Sequence, residues 1–160
     1  MQDHSHGHGH AHHHHHAPLD TQLAQAETLC RQRGAQLTPL RRQVLALVLK
    51  SENPVGAYAL LDQLKAERAG AAPPTVYRAL DFLLEQGLIH RVERLNAFVG
   101  CATAGEQHAH QFLICRNCGT TRELTDAGIE AALRAAAGKA GFTALKMTVE
   151  IEGLCGNCAG

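Results

Sequence analysis

At 160 residues, with no net formal charge and a hydrophobic fraction of 45%, the chain has the composition of an ordinary globular protein and length for one sizeable core or two small ones. No apolar run approaches the ~20 residues that cross a bilayer and no signal-peptide core stands at the N-terminus. A membrane partner is therefore excluded, and a cytoplasmic location with reduced thiols is expected.

Six cysteines in that setting suggest metal before disulfide. Only 4% of residues are aromatic and tryptophan is absent, so any core must be built from Leu, Val, Ile and Ala and would benefit from a metal staple. The neutral average conceals a basic stretch: Arg31, Arg33, Arg41, Arg42 and Lys50 precede the next acid, Glu52. Such a patch suffices to contact phosphates, although a solvated helix face would look the same.

Residues 1–18 carry nine of the twelve histidines among Gly, Ala and Ser, and this tail is expected to be disordered. His12 to His16 could be an added tag, whereas His4, His6, His8 and His10 at alternate positions suggest a native, low-specificity collector of zinc, copper or nickel.

From Leu19 the spacing becomes helical. Leu19, Leu23, Ala26 and Cys30 repeat on one face and Gly34 ends the run; Cys30 reads as a helix-core residue. Thr38 caps a second helix with Pro39 at its first position and Leu40, Val44, Leu47 and Val48 inward. Pro54 and Gly56 break it, and a third helix spans about 57–68. A fourth, 75–86, turns Val76, Ala79, Leu80, Leu83 and Leu84 to the core and stops at Gly87. Residues 88–92 and 97–101 read as two short strands around a turn at 94–96. Residues 19–101 therefore suggest a winged helix-turn-helix with one extra helix in front; an all-helical bundle with a loose hairpin fits the periodicity nearly as well.

Residues 102–109 read as a linker. Beyond it, 110–115 and 120–123 suggest strands, 125–137 a helix, and 145–152 a strand that alternates Leu145, Met147, Val149 and Ile151 inward with Lys146, Thr148, Glu150 and Glu152 outward. The fold class expected is a two-domain α/β protein, with a winged helix followed by a small α/β dimerisation domain over 110–160. So small a unit lacks buried surface, and pairing with a second copy would supply it.

Cys115 and Cys118, then Cys155 and Cys158, form two Cys-x-x-Cys pairs separated by 36 residues. Each pair can aim two thiolates at one tetrahedral ion, and together they close its shell. A lone pair could be redox-active; two pairs point to a structural zinc that ties the last strand back to Cys115.

Thr38-Pro39-x-Arg41-x-x-Val44-Leu45, the run Pro74-Thr75-Val76-Tyr77-Arg78-Ala79-Leu80, the histidines before Cys115 and both Cys-x-x-Cys pairs together resemble the ferric-uptake-regulator superfamily of bacterial metal-responsive repressors. Residues 73–87 look most like its zinc uptake regulator branch. The resemblance implies a homodimer that binds palindromic double-stranded operator DNA of zinc uptake and homeostasis genes when a second, exchangeable zinc is present, giving two zinc ions per chain. It also implies His90, Cys101, His108 and Glu123 as the ligands of that second ion. One thiolate, two imidazoles and a carboxylate suit tetrahedral zinc better than the N/O octahedron of ferrous iron or manganese. His110 is the natural substitute for His108, or an outer group orienting a ligand.

In such a protein the 75–86 helix reads the major groove: Arg78 by a bidentate contact to guanine, Tyr77 on thymine methyls or phosphate, and Thr75 at the backbone. Arg41, Arg42, Tyr58, Arg91 and Arg94 are the phosphate-contact candidates. An iron- or peroxide-responsive regulator of the same superfamily is the alternative. A zinc hydrolase would need an open coordination position and a general base, and no His-Glu-x-x-His run is present, so the chain is read as no enzyme.

Overall fold

A computed structural model describes residues 17–101, 104–105 and 109–160. The expectations for the histidine-rich tail up to His16 and for His108 lie outside these described residues. Among them no helix is long and apolar enough to cross a membrane.

Four helices come first: α1 (Leu19–Gln32), α2 (Pro39–Lys50), α3 (Ala57–Glu67) and α4 (Pro73–Glu85). Thr38 caps α2 as expected, its hydroxyl accepting from the Arg41 N–H. The fourth helix starts two residues earlier than its spacing suggests. Pro73 and Pro74 both fit the first turn, where the missing N–H groups would have had no intrahelical acceptor. Val44, Leu45, Leu60, Leu64, Val76 and Leu83 are buried in one core, with Cys30 among them.

Strands β1 (Ile89–Val92) and β2 (Ala97–Gly100) pair antiparallel around a 3-10 turn, Glu93–Leu95, closed by Asn96 in the left-handed region (φ 47). The hairpin is anchored rather than loose. Val55, ahead of α3, exchanges two 2.9 Å backbone hydrogen bonds with Phe98, and Ile89 and Phe98 enter the helical core. That decides for the winged helix over the bundle. At Gly100 a Cβ would lie 2.5 Å from Leu49 Cδ2, so a larger residue where β2 closes on α2 would require the Leu49 side chain to shift.

The C-terminal sheet has the order β4-β3-β5, with β3 (His110–Cys115) central, β4 (Thr121–Leu124) antiparallel to it and β5 (Thr148–Gly153) parallel. Helix α5 (Ala127–Lys139) is N-capped by Asp126, whose carboxylate accepts from the Ile129 N–H at 3.0 Å.

Two expectations for the last strand are corrected. Ordered pairing begins only at Thr148, and the supposedly inward Leu145 and Ile151 are 91% and 46% exposed. The reason is that among the described residues that side is only partly covered: α5 has no fully buried residue, and Leu133 and Phe142 are exposed as well. Conversely, Glu150 and Glu152 do not point to solvent alone. Register places them beside Phe112 and Ile114, on the sheet face that packs against Val92 and Val99 of the hairpin.

Candidate metal centres and nucleic-acid face

Because β3 and β5 are parallel neighbours, they end on the same edge of the sheet, and Cys115 stands opposite Gly153. Each strand then enters a tight turn bearing the second cysteine: the Gly119 N–H donates to the Cys115 carbonyl, with Gly119 at φ 74, and the Cys158 N–H donates to the Cys155 carbonyl. The sulfurs of Cys115, Cys118, Cys155 and Cys158 lie within 4.8 Å of one another, with Cys118 and Cys155 3.7 Å apart. A tetrahedron of Zn–S bonds of about 2.3 Å needs sulfurs roughly 3.8 Å apart. Donor set and spacing both fit zinc.

The electrostatics favour a bound cation. Backbone N–H groups of Cys118 and Cys155 hold the Cys115 thiol down, to about 6, and hydrogen bonds from Thr120 lower that of Cys118. At Cys158 the Asn117 side chain acts downward, but the neighbouring sulfurs of Cys155, Cys118 and Cys115 and burial outweigh it and raise the thiol to about 11. Crowded thiols resist joint ionisation, and a divalent cation removes that resistance.

A second cluster joins the two halves of the chain. His90 projects from β1, Cys101 follows β2, and Glu123 comes from β4; one donor atom of each falls within 4.8 Å of the others. His90 Nε2 is 3.6 Å from Glu123 Oε1. His90 is buried, against the surface position that strand alternation allowed. Cys101 is held by its N–H to the Leu88 carbonyl at 3.1 Å. His110 is not one of the clustered donors among the described residues; its ring lies 3.8 Å from that of His90 between centroids, tilted by 38°. Cys30 belongs to neither group, and burial raises its thiol.

Tyr77 and Arg78 are exposed on α4 and Thr75 is half-buried. The first turns of α2 and α4 border a cleft of about 210 Å³ lined by Thr38, Leu40, Arg41, Thr75, Arg78 and Ala79. Arg41 is already braced: its guanidinium lies 3.7 Å over the Phe82 ring and donates to the Gln36 carbonyl. Arg42 and Tyr58 are exposed. Arg91 is tied to Asn96 and Glu93, and Arg94 to Glu152 at 2.9 Å, so both wing arginines have partners within the chain. Outward alternation in β5 hid Glu152 as the acidic partner of Arg94.

The sequence profile of the Ferric uptake regulator family matches residues 32–152. The zinc uptake regulation protein of Escherichia coli (strain K12) is 44% identical over 137 residues, 85% of this chain and 80% of that protein. A solved structure of a zinc uptake regulator complexed with zinc and DNA superposes with a TM-score of 0.85 at 42% identity, covering 89% of this chain and 96% of that one. Holo XcZur, 42% identical over 88% of this chain and 98% of its own, gives 0.81. Apo XcZur, at 43% identity over 89% and 98%, gives only 0.52. At nearly the same identity, this chain superposes better on holo XcZur than on apo XcZur.

Proposed function

The chain belongs to the ferric uptake regulator family, and on that premise we propose that it is a zinc-responsive transcriptional repressor. As a cytoplasmic homodimer it binds palindromic operators of zinc uptake and homeostasis genes when zinc is plentiful and leaves them when zinc is scarce. The observation that carries this reading is the cluster of His90, Cys101 and Glu123, because it draws donors from the hairpin and from the C-terminal sheet at once. His108 is assigned as the fourth ligand from the family resemblance. A zinc ion there supplies coordination bonds across the junction of the two halves. The soft Cys101 sulfur argues against the iron or peroxide alternative.

In this reading Cys115, Cys118, Cys155 and Cys158 hold the other, permanent zinc. The exposed apolar set of Leu133, Phe142, Leu145 and Ile151 supports pairing of two C-terminal sheets, with 110–160 as the dimerisation domain, 102–109 as the hinge and 19–101 as the DNA-binding domain. The hairpin side chains then set the angle of α4, and with it the spacing of two recognition helices.

Zinc and operator stabilise the same arrangement, so each must tighten the other. Exchangeable zinc should bind about 5- to 150-fold more tightly in the presence of a duplex selected from a random pool by the zinc-loaded protein. Chelator competition with and without that duplex measures it, and equal affinities would overturn the proposal.

On the nucleic-acid face, Arg78→Ala should cost about 1–3 kcal/mol of base discrimination. Arg42→Ala should weaken binding to all sequences alike and reduce the salt slope by about 1. Arg42 is the cleaner phosphate probe, since Arg41 also braces α4 through Phe82. Titrations of selected and scrambled duplexes at several salt concentrations separate the two roles; an equal loss on both DNAs for Arg78→Ala would remove it as a reader.

A further inference from the structure

A second connection between hairpin and C-terminal sheet uses none of the clustered metal donors. The 3-10 turn offers the backbone N–H groups of Glu93 and Arg94 at its start, where a helical turn has no acceptor of its own. Both donate to one carboxylate: the Glu93 N–H to Glu150 Oε1 at 2.6 Å and the Arg94 N–H to Glu150 Oε2 at 3.0 Å. Two residues along β5, Glu152 accepts from Arg94 Nε at 2.9 Å, with Arg116 Nε 3.8 Å from its other oxygen.

The strand register relates this connection to the metal cluster. Phe112 of β3 stands between Glu123 on β4 and Glu150 on β5, so both carboxylates lie in one row across the sheet. On the hairpin, His90 faces Glu123 at one end of that row and the Glu93 amide faces Glu150 at the other. Val92 and Val99 pack on Phe112 and Ile114 beside them. One attachment point leaves rotation about itself free, whereas two points on either side of an apolar contact oppose it. A lone exposed ion pair would contribute little, but a carboxylate held by two consecutive backbone N–H groups is charge-assisted and fixes direction.

We infer that Glu150, assisted by Glu152, is a positioning residue: a metal-independent clasp on the wing turn that holds His90 and Cys101 in reach of Glu123 and so sets how much zinc the switch requires. The inference rests on the proposed role of the hinge cluster. It also commits Arg94 to the clasp rather than to phosphate.

The test uses the full-length protein and zinc chloride in chelator competition, together with amide hydrogen exchange resolved by residue. Glu150→Gln keeps the shape of the side chain but loses its charge and one acceptor. In this variant the amides of Glu93 and Arg94 should exchange about tenfold faster while that of Leu80 in the helical core is unchanged. The four-cysteine zinc should stay bound, and the exchangeable zinc should bind about three- to tenfold more weakly. Glu152→Gln should give a smaller effect of the same sign. Unchanged exchange at both amides would show that no clasp exists; faster exchange with wild-type zinc affinity would show a clasp that does not tune the switch, and either result overturns the inference. Failure of the hinge reading is recognised separately: His90→Ala would then retain wild-type zinc stoichiometry and affinity, the zinc threshold would fall with it, and amide exchange would still decide whether the clasp is there.

Discussion

Replacing Cys155 by Ser should remove one zinc per chain and the dimer together. Beyond the ladder to β3 and the carboxylates of Glu150 and Glu152 on the wing, the C-terminal sheet has little apolar burial among the described residues: Phe112 and Ile114 are buried against the hairpin, α5 has no fully buried residue, and Ile151 of β5 is exposed. Binding of a structural zinc contributes about 10–16 kcal/mol in small domains, as much as the whole stability of a typical one. The parallel alignment of β3 and β5 brings the two cysteine turns together, so the ion that joins the turns also fastens β5. Without it β5 should detach, and the surface that pairs with a second copy goes with it. Native mass spectrometry of the full-length variant is the measurement, with Cys30→Ala as the control, since Cys30 lies in the helical core away from both clusters. An intact dimer with wild-type zinc content in Cys155→Ser would refute the staple.

His90→Ala should have the opposite selectivity. The four-cysteine zinc and the dimer persist, while zinc-dependent DNA binding is lost and exchangeable zinc binds more than about a hundredfold more weakly, beyond the 10- to 100-fold that loss of an outer-shell partner costs. His110→Ala should fall within that outer-shell range, because its ring stacks on His90 without joining the clustered donors. Equal losses for the two variants would make His110 a ligand. Chelator competition and DNA titration on the same preparations read both quantities.

The helices were legible because their signals are local. Thr38 before Pro39, the 3.6-residue spacing of Val44, Leu47 and Val48, and Gly87 after Leu84 act within one or two turns of chain. The two Cys-x-x-Cys pairs were legible for a related reason: spacing inside each pair is a property of a single turn, and four thiolates complete a tetrahedral shell. Periodicity could not choose between a winged helix and a bundle, since the deciding contacts, Val55 with Phe98 and Ile89 in the core, join distant parts of the chain.

Sequence by itself thus determined the family, the element order and the donor chemistry of the four-cysteine centre, because residue type and short-range spacing carry that information; the hinge donors were implied only by the family resemblance. What only the tertiary structure decided was facing. Alternation in β5 separates two faces but does not say which is covered. The packing of the sheet on the hairpin leaves Ile151 partly exposed and turns Glu150 and Glu152, which alternation had assigned to solvent, onto the wing. The same packing buries His90 beside Cys101 and Glu123. Each of these depends on contacts between distant segments, such as β3 with β5 and Glu93 with Glu150, and no local pattern encodes them.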